Sequence, residues 1–328
     1  MYVKRIIDPQ IIFYFSWKPI LYSTLLSLGV FASYELNHWH TASIPFLPIA
    51  TVGTAVAFYV GFKNNSSYDR LWEARKIWGE ITNTSRAMCA YINAVLGAAN
   101  KTQTREFVYR HLAYVNMLRI QLRSRNMWGD SNIYTQLARD IYPQKPFEQE
   151  RDEILANFCS NDDIELLRSK RNVAKEILSK QMQQLKTLKS NGLLDAFENS
   201  DLMRMCAELY GQQGKAERIK TFPFPRQYAF FSEVFVTIFV TLLPFGLIGE
   251  FAKLGPEYAW LTIPFTVLIA FVFFTMERVG DTSENPFEGS LNDVPMSAIC
   301  RNIEIDLREL LNETELPKPL EAIDHVLM

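Results

Sequence analysis

Four apolar blocks decide what this chain can fold into. Pro19–Leu36 has no charge before Glu35, and Ile44–Phe62 has none. Gln227–Gly249 has only Glu233, and Tyr258–Met276 has none. Each is close to the ~20 residues a helix needs to cross a ~30 Å hydrocarbon core. Four such blocks in 328 residues predict an all-α membrane protein with four spans. Buried helices of a soluble protein are the competing reading, rare for a chain with this many blocks. Mean hydropathy is near zero because the apolar residues are concentrated and the rest is polar.

Loop charges predict the orientation. "NHWHTAS" between the first two blocks has no Lys or Arg, and "EFAKLGPEY" between the last two has one Lys. Lys4, Arg5 and Lys18 precede the first block, and the stretch after Phe62 is dense in Lys and Arg. The expected order is a cytosolic segment 1–18, two spans within 19–62, a cytosolic helical domain 63–222, two spans within 223–276 and a cytosolic segment 277–328. Both termini then lie in the cytoplasm, and the cell (inner) membrane is the expected location. Trp17, Trp39 and Trp260 fall near span ends, where interfacial tryptophans sit. The opening "MYVKRIIDPQIIFYFSWK" has the basic-then-apolar order of a signal peptide. No small-residue cleavage site follows, so it reads as an anchor.

A net charge of −2 argues against a general nucleic-acid or anionic-lipid binder. Cys89, Cys159, Cys206 and Cys300 stand singly with no CxxC, so neither a zinc knuckle nor a redox pair is expected and the thiols should be reduced.

The polar middle reads as helices. One continues the second block to about Leu96, ended by "GAAN", and another covers about Thr104 to Ser124. A loop is expected over "NMWGDSNIYTQLARDIYPQKPF". A helix is expected from Ser160 to the Asn191-Gly192 stop, with Glu176 and Lys180 as an i,i+4 pair, and another from about Ser200 to Arg218. Pro223 and Pro225 then re-aim the chain into the third block.

"TVGTAVAFYVGFKNNSSYDRLWEARKIWGEI", residues 51–81, carries that second block out of the apolar region with no helix breaker. At 100° per residue Thr54, Phe58 and Phe62 form one stripe, continued by Asn65, Ser66, Asp69 and Glu73. A stripe that turns polar where the helix leaves the membrane fits a pore lining. Small residues such as Gly53, Ala57 and Gly61 permit close helix approach, and the core of an ordinary bundle fits equally well.

"GFKNNSSYDRLWEARKIWG" resembles the segment after the second span of bestrophins, their prokaryotic members above all. "TFPFPRQY" with "TLLPFGLIGE" is similar to that family's entry into the third span, and "ENPFEGSLNDVPMSAICRNIEIDL" to its Asn/Asp-Pro-Phe motif and following helix. The resemblance implies a homopentamer with one central ion pore, a hydrophobic neck lined by the second span, and a lower constriction on a cytosolic helix. By position the neck would be Thr54, Phe58 and Phe62, with Thr54 a departure from the family's three large apolar residues. The lower aperture would be Phe197. Animal members have an acidic run after Asn-Pro-Phe that clasps calcium. Here Asn285-Pro286-Phe287 is followed by "EGSLND", leaving only Glu288 and Asp293, too few for six to eight oxygens. Conduction that ignores calcium is expected, with Asp293 as a turn or capping residue.

The expected partners are a second copy of the chain, membrane lipids and permeant monovalent ions. Asp69 and Glu73 are candidate acidic rings that favour cations such as sodium. Pairing with Lys63, Arg70 or Lys76 would cancel them, and a chloride channel of the same architecture is the alternative. No cofactor or metal is expected, nor an enzyme. "ELNH", Glu35 to His38, is half of a di-iron signature, and His40, His111 and His325 do not supply the other half. A secondary transporter would favour repeated spans, which the blocks lack.

Overall fold

The computed structural model describes residues 1–36, 43–124 and 133–328. His38, Trp39 and His40 lie outside the described residues, as do residues 126–132 of the expected loop. Among the described residues the regular structure is helical, with no strand. The helices are α1 (Pro9–Leu36), α2 (Phe46–Leu96), α3 (Lys101–Arg123), α4 (Ile133–Ile141), α5 (Phe147–Phe158), α6 (Asn161–Arg168), α7 (Val173–Ser190), α8 (Ala196–Thr221), α9 (Arg226–Ala252), α10 (Thr262–Ser283) and α11 (Met296–Leu310). α2 alone has 51 residues. The chain divides into two compact units, one of Lys4–Asp69 with Phe224–Glu284, the other of Met1–Val3, Arg70–Pro223 and Asn285–Met328.

The first unit holds α1, the first part of α2, α9 and α10. The four helices long and apolar enough to cross a membrane are α1, α2, α9 and the stretch Pro256–Ser283. α1 starts ten residues before Pro19, because Pro9 suits the first helical position and the Asp8 carbonyl accepts from Ile11 N and Ile12 N at 2.9 and 3.2 Å. Pro19 is instead internal and buried. The buried face of α1 is small: Ser16, Pro19, Ser23, Ser27 and Val30. Its hydroxyls donate to carbonyls of their own helix, Ser16 to Ile12 at 2.7 Å, Ser23 to Ile20 and Ser27 to Thr24 both at 3.1 Å. That satisfies them where no water is present while keeping the face flat enough to pack.

The core of this unit gathers Ile49, Val56 and Val60 of α2 with Val236, Phe239, Val240, Leu243 and Leu247 of α9 and Ala270 of α10. Gly53 makes the contact possible, since a Cβ there would stand 2.5 Å from Cε2 of Phe239. Trp17 and Trp260 are exposed, as ring anchors at a lipid–water boundary are.

The second unit is built around α3, which packs on α5, α7, α8 and α11. Phe107, Val108, Leu112, Ala113, Val115, Met117 and Leu118 are fully buried, and so are His111 and Tyr114 of the same helix. α11 contributes Met296, Cys300, Ile303 and Leu307 to this core. The four cysteines are free, and three are buried. The chain ends meet within this unit: Val3 N donates to His325 O at 2.9 Å and Leu327 N to Met1 O at 2.8 Å.

Four sequence expectations change here. Residues 133–141 form helix α4 where a loop was expected. The stretch after Ser160, expected as one helix, is two. It breaks because Asn172 caps α7, its side chain accepting from Lys175 N at 3.0 Å while its Nδ2 donates to Glu217 at 2.9 Å. Ser160 makes no side-chain cap bond, and Lys180 pairs with Asp163 at 3.1 Å, not with Glu176. α8 begins at Ala196, four residues before the expected Ser200. Asp195 and Glu198 close a reciprocal capping box there, Glu198 N to Asp195 at 2.7 Å and Asp195 N to Glu198 at 2.8 Å, each satisfying one orphan donor of the first turn.

Candidate functional site

α2 has two unlike faces. Ile49, Gly53, Val56, Val60, Lys63 and Ser67 are buried, repeating at three and four residues. Thr54, Phe58 and Phe62 lie on the other face, and all three are exposed. Phe58 is 69% and Phe62 59% exposed, so neither belongs to the core of its own chain. The Phe58 and Phe62 rings meet edge to face, centroids 4.5 Å apart. Thr54 Oγ1 donates to Ala50 O at 3.0 Å, which satisfies the hydroxyl proton and leaves the oxygen as an acceptor on the same stripe. Phenylalanines so placed need cover from outside the subunit, and the two unlike faces show which side of the helix must supply it.

The polar continuation separates into different roles. Asn65, Ser66 and Asp69 are exposed. Lys63 points into the buried face, where it binds Glu277 and, at 2.5 Å, Asp281 of α10. Asn64 Nδ2 donates to Met276 O at 2.9 Å beside it. Lys63 is thus committed to α10 and does not neutralise Asp69 or Glu73. Arg70 Nη2 donates to Ile219 O at 3.2 Å. Glu73 is neutralised from another direction: Arg218 of α8 reaches it at 2.7 Å. No spacing rule signals that partner, because it lies 145 positions away. Asp69 takes part in no ion pair among the described residues.

Phe197 is the second residue of α8 and is 82% exposed. The Asp195–Glu198 box fixes the turn that holds it, so this ring is presented from a rigid helix start.

The Asn285-Pro286-Phe287 loop winds around Asp293. This fully interior carboxylate accepts from Phe287 N at 2.8 Å, Gly289 N at 2.7 Å and Val294 N at 2.7 Å. Phe287 has φ +74°, a left-handed conformation that costs a non-glycine residue about 1 kcal/mol or more, and the bond from its N–H helps hold it there. Burial pushes the Asp293 pKa up while the three N–H donors pull it back down. Glu288 pairs with Lys220 at 3.0 Å. Burial lowers the Lys220 pKa, and Glu288 opposes that shift. Both carboxylates considered for a cation therefore already serve N–H or ammonium donors. Among the described residues no cluster of three or more His, Cys, Asp or Glu side chains could hold a metal ion.

A family model described as "Bacterial/Fungal Bestrophin protein" matches residues 8–309. The voltage-dependent anion channel-forming protein YneE of Escherichia coli is 27% identical over 282 residues, 85% of this chain and 82% of that protein. A voltage-dependent anion channel-forming protein of Mesorhizobium japonicum is 29% identical over 279 residues, 84% of this chain and 78% of that protein. Among solved structures, a bacterial bestrophin homologue from Klebsiella pneumoniae superposes with a TM-score of 0.78 at 23% identity, covering 91% of this chain and 99% of that one.

Proposed function

The chain belongs to the bacterial and fungal bestrophin family, and from that premise we propose that it is a homopentameric ion channel of the inner membrane. The α2 helices of five copies surround the pore, Thr54, Phe58 and Phe62 form its neck, and Phe197 forms a second ring below. The observation that carries this reading is the exposed stripe on α2, apolar through Phe62 and polar from Asn65, opposite a face fully engaged with α9 and α10. Stripes of five copies around one axis would cover one another, and the polar continuation would face the ion path. Both termini and the α3-centred unit lie on the cytoplasmic side, in keeping with the Lys and Arg distribution. Family membership speaks against an enzyme.

In such a neck, phenylalanine rings one helical turn apart offer ions no hydrogen-bond partner to replace their hydration water. The passage can then dewet, and flow is limited there. Thr54 contributes a hydroxyl oxygen at the outer turn, which keeps that end wetter than a third apolar ring would.

Monovalent ions are the conducted class, with anions the favoured reading. The matched relatives are named as anion channel-forming proteins, and Arg218 offsets the charge of Glu73. Positive ring edges of Phe58 and Phe62 suit anions. Cation conduction is the second reading, and the exposed, ion-pair-free carboxylate of Asp69 favours it. Conduction does not depend on calcium, because Asp293 and Glu288 are spent on N–H and ammonium donors. Reversal potentials of protein in planar bilayers under asymmetric salt separate the two readings. A shift toward the chloride equilibrium potential supports the anion channel, and one toward the sodium potential replaces it. Monomeric mass in detergent would sink the pentamer.

A further inference from the structure

Within the α3-centred unit, α3, α4, α5 and the C-terminal segment line a half-open cavity of about 1360 Å³. Its wall is unbalanced in charge: Arg119, Arg123, Arg139, Lys145 and Lys318 line it against Glu150 and Glu321. Glu150 is taken by Arg119 at 2.7 Å, and Lys145 pairs with Glu153 at 2.5 Å. Arg123 hydrogen-bonds only neutral groups, Nη1 donating to Ser297 Oγ at 2.9 Å and Nη2 to Met328 Sδ at 3.9 Å, with Asp293 and Glu150 near enough to act on its charge. Arg139 forms no ion pair among the described residues. The Nε atoms of Arg119, Arg123 and Arg139 are buried without a hydrogen-bond partner.

Arg123 and Arg139 thus bring two guanidinium groups with no carboxylate ion-paired to them to the wall of one cleft, where an anionic ligand would compensate their charge. Arginine forks match phosphate and carboxylate oxygens in pairs. Leu320, Ile323, Phe147, Pro143 and Tyr142 give the same cavity an apolar side, and Tyr142 is held by its hydroxyl donating to Val326 O at 2.8 Å. We propose that this cavity binds a phosphate-bearing small molecule of nucleotide size. Its phosphates sit between Arg123 and Arg139, and its less polar part lies against the Tyr142 side. None of its lining residues is one assigned to the ion path, and the proposal does not rest on which ion the channel conducts.

The test is titration calorimetry of the full-length protein in detergent with ADP, and in parallel with inorganic pyrophosphate. Adenosine is the uncharged control. The expected result is saturable binding of ADP or pyrophosphate, with adenosine much weaker. Arg139→Gln and Arg123→Gln should each raise Kd about tenfold, as loss of a charge-assisted bond does. Arg123→Lys keeps the charge and covers the case in which Arg123→Gln fails to fold; Arg139→Gln removes no bond on which the fold depends. Arg204→Gln changes net charge by the same amount outside the cavity and should leave Kd unaltered. The proposal is overturned if neither phosphate probe binds at millimolar concentration. It is equally overturned if Arg139→Gln binds like wild type, or if Arg204→Gln weakens binding as much.

Discussion

α2 and α3 contradict what their compositions suggest. The first part of α2 is apolar, yet Thr54, Phe58 and Phe62 are exposed. α3, "KTQTREFVYRHLAYVNMLRIQLR", carries four arginines, a lysine and a histidine among its residues. Even so, it is the central helix of its unit, with most of its length inside. Two buried arginines of α3 reach carboxylates: Arg110 binds Asp163 at 3.1 Å and Glu106 at 2.6 Å, and Arg119 binds Glu150. Gln181 of α7 donates to Phe107 O at 3.1 Å. The rings of Phe58 and Phe62 touch only each other among the aromatic contacts of this stripe. The apolar side of a buried helix is packed inside the chain, whereas an exposed apolar stripe must be covered from outside it. That difference suits α3 to scaffold duty and fits the interface or pore duty proposed for α2.

The largest effect that sharpens this contrast is expected from Phe107→Ala. It empties a site with no exposure and should cost about 3–5 kcal/mol, read as a lower denaturant midpoint or melting temperature. A loss under about 1 kcal/mol would mean that α3 is not the centre of a packed core.

Acid comes next. His111 is fully buried and its pKa is lowered to about 3 by desolvation. The native state refuses a proton that the unfolded chain accepts near pH 6.5, so the stability tied to this group is complete above pH 6.5. It falls as the pH drops from there toward 3, by up to about 4 kcal/mol. His111→Gln should flatten that arm of the stability–pH curve relative to wild type. Parallel curves would place the ring in contact with water.

Phe58→Ala and Phe62→Ala should behave in the opposite way to Phe107→Ala. Little stability should be lost, about 1 kcal/mol or less, since among the described aromatic contacts these exposed rings meet only each other. Conductance or open probability should rise. Destabilisation comparable to that of Phe107→Ala would break the contrast and return both rings to a packed interface, and a stable variant with unchanged current would remove them from the pore.

The smallest effect is expected from Glu73→Gln, which breaks an exposed pair with Arg218 worth about 0.2–1 kcal/mol. Stability should barely move, and the reversal potential should shift toward anions by less than with Asp69→Asn, whose carboxylate has no such partner. Equal shifts in the two variants would show that Arg218 does not shield Glu73 in the assembled channel.

Much was legible before any coordinates. The four apolar blocks fall in the four span-length helices, because satisfying backbone groups in lipid leaves a long uncharged segment only the helix. The end of α2 at Leu96 was readable from "GAAN", and the stop after α7 from Asn191-Gly192, where Gly192 adopts φ +72° as a helix terminator does. The start of α8 was equally open to view in the Asp195–Glu198 spacing but was placed too late. The break between α6 and α7 was not legible: Asn172 reads as one more polar residue until Glu217 anchors it.

By itself, then, the sequence determined the helical class, the span positions and the uninterrupted length of α2, since these follow from local hydropathy and backbone hydrogen bonding. It also put Thr54, Phe58 and Phe62 on one stripe, because 3.6 residues per turn requires it. Only the tertiary structure decided which way that stripe faces, that Lys63 belongs to Glu277 and Asp281, that Arg218 guards Glu73, and that Asp293 turns inward to hold the Phe287 loop. Two of these depend on partners 214 and 145 positions apart. Over such separations neither periodicity nor propensity carries information, and packing alone chooses which side chains meet.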